Sequence, residues 1–154
     1  MAAQAQTVIS TTGHVGINVT DLDRSVAFYQ ALFGLDVLNR SDAPEKRFAF
    51  LGAQGKLVLT LWEQAEAAFS PASAGLHHLS FQVGDIEAVR SSEQRVRSLG
   101  AMLHHDGIVP HGEGASSGGI FFEDPDGTRL EIYAPTGADT APAPHGAAPT
   151  CGFF

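Results

Sequence analysis

The chain has 154 residues, 44% hydrophobic and 17% charged, and nine Lys and Arg against seventeen Asp and Glu leave a net charge of −8. That length suits one domain with a sizeable core, and an acidic balance without a Lys/Arg cluster excludes the usual footprint of nucleic-acid or anionic-membrane binding. One cysteine, Cys151, allows no internal disulfide, and residues 1–13 lack the basic start and apolar core of a signal peptide. With no apolar run of membrane-spanning length, a cytoplasmic protein is expected.

Residues 1–10 read as a flexible start. His14-Val15-Gly16-Ile17-Asn18-Val19 then alternates apolar and polar residues as a strand does. Thr20, with Asp23 three residues on, predicts an acidic capping box. Leu22, Val26, Tyr29 and Leu32/Phe33 follow at helical spacing, and Gly34 supplies a stop. Strands are expected over 35–39, 47–51 and 57–62, with Gly52 and Gly55 punctuating a hairpin. An Ala/Ser/Pro-rich link over 63–75 joins this half to a second one.

The second half opens on a repeat: His78-Leu79-Ser80-Phe81-Gln82-Val83 matches the first strand 64 positions later (78 − 14 = 64). A helix follows from Asp85, with Ile86, Val89, Val96 and Leu99 on one face and Gly100 as its stop. Strands are expected over 101–105, 118–123 and 128–133, the last two joined by the turn Asp124-Pro125-Asp126-Gly127. The two modules, 11–63 and 76–135, each read β-α-β-β-β within one domain over 11–135. Residues 136–154 are Ala/Pro/Gly-rich and read as a disordered or loosely draped tail. The tail closes on Cys151-Gly152-Phe153-Phe154, apolar enough to pack against the domain or a neighbouring subunit; Cys151 receives no role.

Strand alternation sorts the side chains by face. Val15, Ile17 and Val19 oppose His14, Gly16 and Asn18; Leu79, Phe81 and Val83 oppose His78, Ser80 and Gln82. In the last strands Leu57, Leu59 and Leu61 oppose Val58, Thr60 and Trp62, and Leu130 and Ile132 oppose Arg129, Glu131 and Tyr133. The apolar faces are the candidate core. His14, His78, Glu131 and Thr60 then occupy equivalent places on the polar faces, Thr60 within one residue of register, and parity selects His78 over His77. Two imidazoles and one carboxylate make the facial triad associated with non-haem Fe(II), and the same donors suit Mn, Ni, Co or Zn. Any one of these histidines is more often structural than a ligand; three candidates at related positions point to a metal.

Residues 13–37 (GHVGINVTDLDRSVAFYQALFGLDV), 76–89 (LHHLSFQVGDIEAV) and 121–135 (FFEDPDGTRLEIYAP) resemble the vicinal oxygen chelate superfamily. That superfamily includes glyoxalase I, type I extradiol dioxygenases, fosfomycin-resistance transferases, methylmalonyl-CoA epimerase and bleomycin-resistance proteins. The resemblance covers residues 12–135. It implies an α+β fold in which two paired βαβββ modules form an open, cup-shaped mixed β-barrel with helices outside, a divalent metal in the cup, and a homodimer. It also places His14, His78 and Glu131 at the metal-ligand positions. Glyoxalase I and the epimerase carry a fourth ligand, commonly Glu or Gln, where this chain has Thr60, and a hydroxyl is a poor ligand and no carboxylate base.

Three ligands with open positions favour an Fe(II)-dependent, extradiol-like dioxygenase acting on a small catechol-like chelating substrate and O₂. The alternatives are a glyoxalase- or fosfomycin-resistance-like lyase or transferase, and a non-enzymatic drug-binding protein, whose members characteristically lose the ligands. His111, in the glycine-rich stretch 107–119, is the leading acid–base candidate, in a segment able to act as a lid. Tyr133 could hydrogen-bond a substrate oxygen. Asn18, Thr60, Trp62, Ser80, Gln82 and Arg129 complete the candidate substrate contacts, with Phe48 and Phe50 as a lesser aromatic wall. His104 and His105, adjacent on a strand, should point to opposite faces.

Overall fold

The computed structural model describes residues 6–154; of the start expected to be flexible, residues 1–5 lie outside the described residues. The first half runs β1 (Val15–Asn18), α1 (Leu22–Phe33), β2 (Asp36–Ser41), β3 (Phe48–Ala53) and β4 (Lys56–Trp62). The second repeats it as β5 (Leu79–Gln82), α2 (Ile86–Ser98), β6 (Leu103–Pro110), β7 (Gly118–Glu123) and β8 (Arg129–Ala134). A short 3₁₀ turn at Thr150–Gly152 follows. No helix among the described residues is long and apolar enough to cross a membrane.

The side chains at the helix starts explain where each helix begins. Asp21, rather than Thr20, caps α1 by accepting the Arg24 backbone N–H at 3.0 Å, a contact worth about 1 kcal/mol in typical helices. Thr20 is drawn elsewhere: its hydroxyl and its backbone N–H both donate to Asp126, at 2.5 and 3.0 Å. Asp85 caps α2 through the Ala88 N–H at 2.8 Å. Gly34 ends α1 in the left-handed region, φ 66°, where a glycine costs least. Leu99, expected on the buried face of α2, instead lies at its C-cap and is 39% exposed.

Each half forms a four-stranded mixed sheet, in the orders β1-β4-β3-β2 and β5-β8-β7-β6. The β1–β4 and β5–β8 pairs are parallel and the others antiparallel. The paired-module α+β arrangement is therefore present, as two open sheets with no strand pair between them among the described residues. Register settles which positions correspond: Gly16 pairs with Thr60 and Ser80 with Glu131. Ser80 is the repeat partner of Gly16, so Thr60 is the counterpart of Glu131.

Ile17, Leu59 and Leu61 from the first sheet, Tyr29 from α1, and Ile120 and Ile132 from the second sheet belong to one continuous core. Each buried side chain of this size contributes roughly 1.5–3 kcal/mol. Both apolar faces feed this core, so both polar faces remain outside it. A buried polar joint fastens the halves together. The Tyr29 hydroxyl donates to Asp124 at 2.8 Å, and Asp124 also accepts the Asp126 and Thr128 N–H groups, each at 2.9 Å. Burial pushes the Asp124 carboxyl above its ordinary value, and burial followed by the Asp124 charge pushes the Tyr29 phenol up.

Candidate functional site

Glu131 lies in the middle of β8, on the face away from the core, yet it is only 2% exposed. His111 covers it. β6 ends at Pro110, and the loop to β7 closes where the His111 N–H donates to the Ser117 carbonyl at 2.9 Å. That closure turns the imidazole onto β8. His111 Nδ1 contacts the Ser117 hydroxyl at 2.9 Å, and Nε2 makes a short hydrogen bond to Glu131 Oε1. The ring also lies 5.0 Å from that of Tyr133, whose hydroxyl donates to Gln82 Oε1 at 2.8 Å. The glycine-rich stretch thus delivers its histidine to the carboxylate, with both ring nitrogens engaged.

His78, at the start of β5, puts Nε2 3.7 Å from the other carboxylate oxygen of Glu131. Its Nδ1 is 2.8 Å from Nδ1 of His77, so the histidine rejected by parity supports the one selected. When the shared proton rests on His78, Nε2 presents its lone pair toward Glu131. Burial is the main influence on the His78 imidazole and lowers its pKa; Glu131 opposes this, while His77, Arg129 and His111 reinforce it. That shift favours the neutral imidazole, the form that binds metals.

His14 does not join them. It is exposed at the start of β1 and lines a cleft of about 240 Å³ with Leu79, Ser80 and Phe81. Among the described residues no group of three or more His, Cys, Asp or Glu has metal-binding geometry. Thr60 is buried and accepts the Trp62 indole N–H at 2.9 Å. Trp62 packs against Phe48 and Phe50, with ring centroids 5.4 and 5.7 Å apart. The Asn18 side chain accepts the Gln64 N–H at 3.0 Å. Within one chain the candidate residues therefore fall into two groups. His14, Asn18, Thr60 and Trp62 lie on the first sheet, and His78, Ser80, Gln82, His111, Arg129, Glu131 and Tyr133 belong to the second half. The reason is the shared core: packing both apolar faces into it leaves two polar faces, each with part of the set.

His104 and His105 depart from strict alternation. The β6–β7 register breaks between His104 and Val109, and His105 has φ 59°, so the two rings are not sent to opposite faces. The His104 ring is 5.4 Å from that of Phe154, and the His105 ring is 5.8 Å from that of Phe121. Phe121 and Phe154 are themselves 4.8 Å apart.

The segment expected to drape loosely is anchored here. Phe154 and Thr150 are buried. The Thr150 N–H donates to the His111 carbonyl at 2.7 Å, and its hydroxyl donates to the Pro110 carbonyl at 2.6 Å. The Arg129 guanidinium sits 5.6 Å from the Phe154 ring centroid, within cation–π range. Cys151 packs against the cluster of Val109, Phe121 and Phe154, and burial raises its thiol above the ordinary value. Ser117 and Phe154 escape a reading by motif; the only sequence signal was the apolar close of a polar segment.

The same architecture occurs in known proteins. A sequence model of the Glyoxalase/Bleomycin resistance protein/Dioxygenase superfamily matches residues 11–132. The catechol-2,3-dioxygenase of Bacillus subtilis (strain 168) is 30% identical over 125 residues, covering 79% of this chain and 40% of that protein. The chain thus spans about two fifths of that relative's length. The lactoylglutathione lyase of Neisseria meningitidis serogroup A is 30% identical over 135 residues, covering 84% of this chain and 94% of the lyase. Among solved structures, a glyoxylase/bleomycin resistance protein/dioxygenase domain from Frankia sp. EAN1pec superposes with a TM-score of 0.69 at 26% identity, covering 82% of this chain and 98% of that one. The fosfomycin resistance protein FosX of Listeria monocytogenes, at 23% identity, shares the fold with a TM-score of 0.65 over 84% of this chain and 94% of its own. With the duplicated βαβββ sheets and the match across both modules, this chain belongs to the glyoxalase/bleomycin resistance protein/dioxygenase superfamily, the vicinal oxygen chelate fold.

Proposed function

We propose that this protein is a divalent-metal-dependent enzyme in which His78 and Glu131 of one copy and His14 of a second copy hold the metal. Its reaction is the Fe(II)-dependent, extradiol-type oxidation of a small catechol-like substrate by O₂. The observation that carries the reading is the His78–Glu131 pair: an imidazole whose Nε2 lies 3.7 Å from a buried carboxylate, with Nδ1 already engaged by His77. Nitrogen and oxygen donors of this kind suit Fe(II), Mn(II) and related ions. A bound ion would supply Lewis-acid polarisation of two vicinal substrate oxygens and bring the reactants together.

The chain's own groups provide the rest. His111 fixes one oxygen of Glu131 and is itself fixed by Ser117, so it is a positioning residue for the carboxylate. The Tyr133 hydroxyl, held by Gln82 beside the His111 ring, is the candidate donor to a substrate oxygen. Thr60 stands where a fourth carboxylate would be, and the Trp62 indole occupies it, so that position offers no base. This favours oxygenase over lyase chemistry and agrees with the likeness to a catechol-2,3-dioxygenase.

Metal content after anaerobic purification, followed by oxygen uptake with a panel of catechols, tests the proposal. Stoichiometric Fe(II) with catechol-dependent oxygen consumption is expected; absence of any divalent metal in the wild-type protein overturns it. A second reading, a lyase, draws on the lactoylglutathione lyases, which the chain matches over nearly their whole length. Metal binding without oxygen uptake, together with lactoylglutathione lyase activity, would select that reading.

A further inference from the structure

The segment after β8 lies on the face that the proposed metal has to reach. Phe121 pairs with Glu131 across β7 and β8, so the Phe121 ring marks the place of the carboxylate on that face. The Phe154 ring packs on Phe121 at 4.8 Å and on His78 at 5.6 Å, bridging the two sides of the His78–Glu131 pair. Thr150 is tied by both its N–H and its hydroxyl to His111 and Pro110, the end of the same loop that presents His111 to Glu131.

We propose that residues 150–154 are an intramolecular plug: they occupy the face on which His78 and Glu131 meet, and withdraw when metal or a second copy engages those residues. The proposal rests on the metal reading above. What holds the segment is the Phe154 ring with its Arg129 contact, the packing of Cys151 beside it, two hydrogen bonds from Thr150 to the loop and one from His145 to the Phe153 carbonyl, not a strand ladder. Attachments of that kind open without unfolding the sheet beneath. Being tethered, the plug needs no high intrinsic affinity, because its effective concentration at the site is high. The apparent affinity of the site for metal is reduced in proportion to the fraction of open molecules. Opening also removes the two hydrogen bonds that Thr150 makes at Pro110 and His111, so access to Glu131 and the setting of its partner change together.

Two variants test this: a chain stopped after Pro149, and Phe154→Ala in the full chain, each checked by circular dichroism for an intact fold. The first measurement needs no metal. Diethyl pyrocarbonate labelling of His78, mapped by mass spectrometry, should be several-fold faster in both variants; equal labelling with and without the segment overturns the plug. The second is titration with Mn(II) alone, where the apparent affinity of the stopped chain should be about tenfold tighter if nine in ten molecules are closed. Intact binding with unchanged affinity overturns the opposition between plug and metal. If no form binds Mn(II), the metal reading fails while the labelling result still decides the plug.

Discussion

Thr60 and Glu131 occupy the same register position in the two halves, and the difference between them is chemical. One is a hydroxyl satisfied by Trp62; the other is a buried carboxylate held by histidines. This contrast was legible in the sequence because period-two alternation and the repeat fix both positions. Tyr29 and Asp124 were not legible as a pair, since their contact joins residues on opposite halves of the chain. Tyr29→Phe leaves a buried carboxylate with one donor fewer, and should cost about 1–3 kcal/mol in urea unfolding. The Asp124 titration, followed by carboxyl NMR, should move further up in that variant, because the lost hydrogen bond favoured the charged form. The folded Asp124 value stands above 3.8, so its contribution to stability declines as pH rises through that window. His105 shows the opposite sign. Burial, then His145 and His104, lower it below 6.5, so its contribution is full above 6.5 and is lost as pH falls. His105→Asn, a residue that tolerates the positive φ there, should shrink the drop in Tm between about pH 8 and about pH 5.

At the scale of elements, pattern and structure agree where local chemistry decides and diverge where a distant partner competes. Gly118–Glu123 coincides with the expected strand. The start of α1 does not, because Asp126 takes Thr20 away from the cap. β6 outruns its expected end at 105, since the irregularity after His104 hides the strand from an alternation rule while its far end still pairs through Val109 and Pro110. β7 shows why glycine is required in this sheet: a Cβ on Gly119 would lie 1.9 Å from the Ile132 carbonyl oxygen and 2.6 Å from the Tyr133 Cα. Both obstacles are backbone, and neither can swing aside. Gly119→Ala should therefore destabilise the protein by about 3 kcal/mol or more, read as a fall in the urea midpoint. Its displacement of β8 should also weaken Mn(II) binding at Glu131.

For the whole molecule, the division of the candidate residues between two sheets is the central fact. His14 has neither a hydrogen bond nor an ion pair to His78 or Glu131 within the chain. A site built from two copies predicts complementation. His14→Ala and Glu131→Ala proteins, each unable to bind metal, should regain Mn(II) binding when refolded together. Roughly a quarter of the wild-type sites should return, half of the dimers being mixed and one of two sites in each intact. No recovery would place all the ligands in one chain. By itself the sequence determined the duplicated βαβββ order, the strand residues facing the core and the equivalence of His14 with His78, because these follow from periodicity and short-range turn chemistry. The tertiary structure alone decided that the polar faces part company, that Ser117 and His77 brace the candidate site, and that Phe154 lies over it. Those outcomes depend on how two apolar faces share one core, a long-range packing choice that no local pattern encodes.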